Sequence, residues 1–311
     1  MARPLRVEFP KAFYHITSRG IERRKIFLDV HDHRKFLHYL EENLKRYKIL
    51  IYAYVLMDNH YHLLLETLEA NLSKFMHDLN TAYTVYFNKR QKRGGPLLQG
   101  RYKAILVDRE AYLFELSRYI HLNPVRAGLR KKAEMYPWSS YRTYLGIERR
   151  EWVHCEWLVE RFGKSWRGRF KKFVEEGVDK PTPFEEIKAR FILGSDTFVE
   201  KVKKRIQRRG SGKEVPSYKE LTSPTVEDIV GKIAEFFKIE EIELKKRRRD
   251  FLPRKLAIYF VRKYTAEKIE KIGEKFSIGY TGVSKTISRF EREIGREKEI
   301  EKIAKEIQKG L

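Results

Sequence analysis

Cysteine is all but absent: Cys155 is the single one in 311 residues. A lone thiol excludes an internal disulfide and any zinc site built on several cysteines, and it fits a reducing compartment such as the cytoplasm. Long apolar runs are missing too. Nothing strongly apolar follows Met1-Ala2-Arg3-Pro4-Leu5-Arg6, so neither a signal peptide nor a membrane span is expected. Acidic side chains are under-represented, 43 against 67 Lys and Arg, which leaves a formal net charge of +24. A field of that sign draws polyanions, nucleic acid above all. An anionic membrane surface is the competing partner, but no stretch pairs a strongly apolar face with a basic one.

What is present centres on Met57-Asp58-Asn59-His60-Tyr61-His62-Leu63-Leu64-Leu65. From His60 onward the run is apolar enough for a buried strand, with Asp58-Asn59 as the turn leading into it. Strand side chains alternate, so His60 and His62 share a face while Tyr61 points the other way, into the core. Two imidazoles so placed can grip a metal ion from one side and leave its other positions for a phosphate oxygen. The plain alternative is two polar residues on a solvent face. Further on, Asp108-Arg109-Glu110 opens a helical stripe through Tyr112, Leu113, Leu116, Tyr119 and Ile120, which Pro124 is expected to stop. Asn123 lies one turn beyond Tyr119 on the same face. A phenol, a carboxamide and two imidazoles could thus meet at one metal-bound phosphate. His121 sits on another face of that helix and reads as structural, and His15 as a packing or DNA-contact residue.

Periodicity places strands at 12–17, 49–57, 60–66 and 101–108, with helices at 31–47, after Asn71 as cap, and after Asp108. Strand, helix, strand, strand, helix, strand, helix is an α+β order that resembles the ferredoxin-like, split βαβ plan with an added helix. A sheet with one open face would make a platform for single strands. Basic loops flank it at 22–25 and 89–96, as DNA contacts or as solvated turns. The domains expected are 1–145, a helical connector over 146–222 without evident chemistry, and 223–311. In the last, Thr225 caps a stripe of Val226, Ile229, Val230, Ile233, Phe236 and Phe237, and Lys245 to Arg249 form a basic cluster. Helices over 253–264 and 265–276, a turn at Ser277-Ile278-Gly279 and a last amphipathic run over 281–294 make a helix-turn-helix, or else an ordinary helical bundle.

Taken together, His60-Tyr61-His62 and Tyr119-Ile120-His121-Leu122-Asn123-Pro124-Val125-Arg126 resemble the single-tyrosine HUH transposases, and in detail the REP-associated tyrosine transposases. Phe13-Tyr14-His15-Ile16-Thr17-Ser18-Arg19-Gly20, Gln99-Gly100-Arg101-Tyr102-Lys103 and Pro137-Trp138-Ser139-Ser140-Tyr141 support the likeness, which covers roughly the first 145 residues. The resemblance implies Tyr119 as nucleophile, His60, His62 and Asn123 as ligands of Mg²⁺ or Mn²⁺, and nicking and rejoining of single-stranded DNA beside a hairpin through a 5′-phosphotyrosine. It admits both monomers and dimers. Residues expected on DNA are Arg19, Arg23, Arg24, Arg101, Lys103 and Arg126, and in the C-terminal domain Arg247, Arg248, Arg249, Tyr280, Thr281, Ser284 and Lys285. That domain resembles the duplex-binding domain of the DnaA initiator, but has Gly279-Tyr280-Thr281-Gly282-Val283 where DnaA places an Asp-His-Thr-Thr run. The competing readings are a DNA-binding regulator on an inactive nuclease scaffold, and an RNA-binding or RNA-cleaving protein.

Overall fold

Stretches rich in aromatic and β-branched residues form the strands Ala12–Arg19 (β1), Ile49–Met57 (β2), His60–Thr67 (β3) and Lys103–Val107 (β4). In this computed structural model, which describes residues 8–187, 191–208, 224–246, 248, 250–265 and 267–310, they pair antiparallel in the order β2-β3-β1-β4. Helix Val30–Tyr47 (α1) joins β1 to β2, and Leu72–Arg90 (α2) joins β3 to β4, completing a ferredoxin-like unit. Asp29 caps α1 by accepting from the His31 and Asp32 amides. Asn71 occupies the cap position of α2 without capping it; its Nδ2 donates to the Tyr47 carbonyl instead.

One sheet face is covered by α1 and α2 through Phe36, Leu40, Phe75, Met76, Leu79 and Tyr83. Tyr61 points into that layer, 4.8 Å from the Phe36 ring, with its hydroxyl on Asn80 Oδ1 at 2.6 Å. The other face is not open as expected. Helix Arg109–Arg126 (α3) packs on β2 and β3 and buries Leu113, Leu116 and Ile120 there. Pro124 does not end this helix. Proline removes one backbone donor near the C-terminus, and the chain turns on to Arg126, closed by the Ala127 and Gly128 amides on Asn123 and Val125 carbonyls.

The Pro137-to-Tyr141 motif pins the edge of β2. The Leu56 amide donates to the Trp138 carbonyl at 2.9 Å, the Tyr54 amide to Ser140 Oγ at 2.9 Å, and the Ser140 amide to the Tyr54 carbonyl at 3.0 Å. The same Ser140 Oγ meets His121 Nε2 of α3 at 2.9 Å, and the buried His121 ring lies against Tyr141 and Tyr144. One hydroxyl therefore ties α3 to the sheet edge.

After the helical turn Tyr141–Tyr144 (α4), the connector forms Leu158–Phe162 (α5) and Trp166–Glu175 (α6). A 3-10 turn at Pro183–Glu186 follows, then Ile192–Leu193 (β5), which adds a fifth strand parallel to β4, and Asp196–Arg208 (α7). The chain divides into two compact units, Met1–Ser211 and Gly212–Leu311.

The second unit is helical: Val226–Phe237 (α8), Glu241–Lys245 (α9), Leu252–Tyr264 (α10), Ile269–Lys275 (α11), Tyr280–Ile294 (α12) and Lys298–Gly310 (α13). Thr225 and Asp228 form a reciprocal capping box on α8. Its core joins Ile229, Ile233, Leu256, Phe260, Ile272 and Phe290. The expected helix over 265–276 begins only at Ile269, because Thr265 adopts extended geometry as the C-cap of α10. Between α11 and α12 the chain turns tightly at Ser277 (φ 52°), and a Cβ on Gly273 would lie 2.5 Å from the Ile278 carbonyl oxygen. Glycine at 273 is what lets the turn close on the helix.

Candidate active site

Antiparallel register builds the site. His62 of β3 faces Thr17 of β1, His60 faces Arg19, and Thr17 in turn faces Lys103 of β4. Directly opposed residues share a face, so these side chains form one patch, and α3 lays Tyr119 across it. The His60 and His62 ring centroids are 5.1 Å apart, and the Tyr119 ring is 5.8 Å from His62 at 78°. Asn123 donates through Nδ2 to the Tyr119 carbonyl at 2.9 Å, which leaves its Oδ1 as the acceptor end. A concavity of about 630 Å³ is lined by His60, His62, Tyr119 and Asn123 together with Thr17, Arg19, Arg23, Gln99, Arg101 and Lys103.

Loop chemistry holds the cations in place. Arg19 Nη2 donates to Gln99 Oε1 at 3.0 Å, and the Gln99 amide donates to the Arg19 carbonyl at 2.8 Å, so two motifs distant in sequence are sewn together. A Cβ on Gly20 would lie 2.1 Å from the Arg24 carbonyl oxygen, so only glycine permits the loop to fold back and present Arg23. Arg24 turns to Glu22 at 2.7 Å and does not line the concavity. Arg126 is also outside the lining. Its Nη2 clamps the Gly177 and Lys180 carbonyls, both at 2.8 Å, with the guanidinium 5.5 Å from the Tyr119 ring centroid.

Three features escape the sequence reading. His15 Nε2 contacts His62 Nδ1 at 2.9 Å. His60 Nδ1 contacts Asn59 Oδ1 at 2.6 Å. The connector, expected to hold no chemistry, brings Phe184 to within 4.7 Å of His15 and 4.9 Å of Tyr119. Register and a contact across 65 positions carry no local sequence signal. The His-x-Thr spacing of His15 and Thr17 within an alternating strand was the one available hint.

Burial sets the proton inventory. It holds His60 and His62 below the ordinary histidine range, with Arg19 adding to the effect at His60 and the two neighbouring histidines at His62. Both rings are therefore neutral near pH 7, the form that can ligate a metal. Burial pushes the Tyr119 phenol up, while the Arg126 charge and the Asn123 hydrogen bond pull it back only in part. No cluster of three or more His, Cys, Asp or Glu that could hold a metal occurs among the described residues. The donors on offer are instead two neutral imidazoles, each with Nδ1 engaged and Nε2 left, plus a carboxamide oxygen. Two nitrogens and one oxygen make a mixed set that a divalent cation could share with phosphate oxygens, and that does not by itself select one ion.

In the C-terminal unit, Ser284, Lys285, Arg289 and Arg292 of α12 line a concavity of about 710 Å³ with Arg248, Arg254 and Lys255. Tyr280 is 53 % exposed at the start of α12, and Thr281 beside it is exposed but outside the lining. Arg248 pairs with Glu243. Arg247 and Arg249 lie outside the described residues. Arg289 and Arg292 were not singled out in the sequence, although Arg289 lies one turn after Lys285 on the same helix.

Residues 9–123 match the family described as "Transposase IS200 like", and residues 226–289 the family "Bacterial dnaA protein helix-turn-helix". None of the curated proteins matches the chain. Among solved structures, the REP-associated tyrosine transposase bound to a REP hairpin is 18% identical, covering 50% of this chain and 93% of its own at a TM-score of 0.41. A candidate transposase from Deinococcus radiodurans R1 is 20% identical, covering 38% and 95%, at a TM-score of 0.28. No helix among the described residues is long and apolar enough to cross a membrane. Residues 9–123 are thus similar to the IS200-like transposases, and residues 226–289 to the DnaA-type helix-turn-helix.

Proposed function

We propose that the N-terminal unit nicks and rejoins single-stranded DNA through a covalent phosphotyrosine on Tyr119. The observation that carries this reading is the meeting of Tyr119, His60, His62 and Asn123 in one concavity rimmed by Arg19, Arg23, Arg101 and Lys103. The four cations hold the backbone phosphates and orient the scissile one toward the phenol. Tyr119 Oη attacks phosphorus; the new O–P bond forms as the bond to the 3′ oxygen breaks, the phenol loses its proton and the leaving oxygen gains one. The strand ends as a 5′-phosphotyrosine and a free 3′-OH. Because an ester is exchanged for an ester, a second 3′-OH can reverse the step and join strands without a nucleotide cofactor.

His60, His62 and Asn123 would hold Mg²⁺ or Mn²⁺, which would offset the charge of the phosphate and of the departing oxygen. The upward shift of the Tyr119 phenol supports that requirement, since its own neighbours leave it harder to ionise than a free phenol at about 10. The likeness of the motifs to REP-associated enzymes supports a substrate with a hairpin beside the cleaved strand, met in the cytoplasm. In the division of labour we infer, 1–145 carries the chemistry, 146–222 buttresses it, and 223–311 binds duplex through the face of α12. The intact quartet argues against an inactive regulator.

The test is a denaturing gel of the full chain with labelled hairpin-bearing single strands and Mg²⁺ or Mn²⁺. A covalent adduct that disappears in Tyr119→Phe and His62→Ala supports the reading. No adduct with any strand, alongside tight duplex binding, would favour the regulator.

A further inference from the structure

His15 is 2 % exposed, and no step proposed so far uses it. It lies on β1 two residues before Thr17, the residue directly opposite His62, so it is the diagonal cross-strand neighbour of that ring. The two imidazoles are 5.1 Å apart and tilted by 24°, with His15 Nε2 2.9 Å from His62 Nδ1. Thr17 Oγ1 is more distant from the same nitrogen, at 3.4 Å. The other nitrogen of His15, Nδ1, is buried without a hydrogen-bond partner.

A hydrogen bond between two neutral imidazoles has one donor and one acceptor, so only two arrangements exist. If His15 Nε2–H donates, His62 accepts at Nδ1 and carries its proton on Nε2, where no lone pair remains for a cation. If His62 Nδ1–H donates, its Nε2 lone pair is exposed to the concavity, and His15 must carry its proton on Nδ1. His15 Nδ1 is without a partner in both arrangements, so its surroundings favour neither. The cation itself decides, because only the second arrangement can ligate it.

We propose that His15 is a positioning residue that accepts the His62 Nδ1 proton and so holds His62 in the tautomer that presents Nε2 to the metal. A carboxylate could do the same, but here it would bury a negative charge against a site that must receive a DNA phosphate. A neutral imidazole supplies the acceptor without the charge. This inference rests on the proposed metal role of His60 and His62.

The experiment is a titration of the full chain with Mn²⁺, followed by electron paramagnetic resonance of the free ion, on wild type, His62→Ala, His15→Leu and His15→Gln. His15→Leu fills the same buried space without an acceptor, and His15→Gln restores one. Expected is a loss of about 10- to 100-fold in Mn²⁺ affinity for His15→Leu, largely recovered in His15→Gln. Recovery by the amide is what a packing role alone would not produce. Affinity within twofold of wild type in His15→Leu overturns this proposal and leaves the metal reading standing. Wild type binding no better than His62→Ala overturns both. Ring ¹⁵N spectra of the Mg²⁺-loaded wild type, with His62 assigned by its loss in His62→Ala, give a readout that needs no His15 variant. A proton on His62 Nδ1 supports the proposal, and one on Nε2 overturns it.

Discussion

Phe184 tests whether the connector takes part in catalysis. Its ring stands 4.9 Å from Tyr119, nearly perpendicular at 84°, and 4.7 Å from His15, on a 3-10 turn whose Thr182 cap accepts from the Phe184 amide. The ring does not line the concavity, which leaves bracing of the proposed nucleophile as the role to test. An edge-to-face pair of this kind contributes about 0.5–1.5 kcal/mol beyond burial. If that energy holds the Tyr119 rotamer, Phe184→Ala slows adduct formation by roughly two- to tenfold, on the scale of ~1.4 kcal/mol per tenfold. Phe184→Leu, which keeps bulk but no ring, falls between. The assay is single-turnover adduct formation at saturating single-stranded DNA, which separates the chemical step from binding. A faster rate in Phe184→Ala would refute the bracing role and show the turn to be an obstruction. An unchanged rate would refute both.

Ser140→Ala removes the acceptor of the buried Tyr54 amide and the partner of His121. Urea unfolding of the full chain is expected to show a loss of about 1–3 kcal/mol in the transition of the N-terminal unit. Burial lowers His121 to about 3 and holds His33 below the ordinary value as well. Unfolding lets both take up protons near pH 6.5, so their neutral burial has no cost above that value. It costs up to ~1.4 kcal/mol per pH unit per residue as pH falls from 6.5 toward the folded values. Urea midpoints at pH 7, 5 and 4 should therefore decline, and less steeply in His121→Gln. Arg289→Ala, on the basic face of α12, is expected to weaken duplex binding and reduce the slope of log affinity against log salt by about 1. An unchanged slope would take Arg289 off the phosphates.

The ferredoxin-like order was legible because its strands and helices carry strong local patterns: aromatic and β-branched residues in 12–17, an apolar run after His60, and a 3.6-residue stripe through Phe36, Leu37, Leu40 and Leu44. The shared face of His60 and His62 followed from strand geometry alone, and the Tyr119–Asn123 spacing from the helix. What stayed hidden depends on long-range packing. That α3 covers the second face could not be read from a helix whose apolar stripe is interrupted by Ser117 and Arg118, both buried. Nor does any local pattern tell that Arg126 clamps the Gly177 and Lys180 carbonyls. The final helix was within reach, since Ile300, Ile303, Ala304 and Ile307 recur at helical spacing, and abundant Lys and Glu masked the stripe.

The same contrast separates the buried part of the site from its charged rim. The groups proposed to react rest on the sheet and on α3, where burial keeps His60 and His62 neutral and raises the Tyr119 phenol. Its cations stand on loops at the rim, sewn together by the Arg19–Gln99 bonds and admitted by the close turn at Gly20. If charge at the rim concentrates DNA as proposed, it does so without easing ionisation of the phenol: of the cations only Arg126 lowers it, beside the Asn123 hydrogen bond, and the Arg126 guanidinium is held by the connector. On this reading DNA capture and nucleophile activation are separate events: the first depends on salt through Arg19, Arg23, Arg101 and Lys103, the second on the cation that His60 and His62 would hold. Raising salt should then weaken binding of a strand while leaving the rate of adduct formation from the bound complex nearly constant. A bound-state rate that fell in step with affinity would show that the rim cations also act in the chemical step.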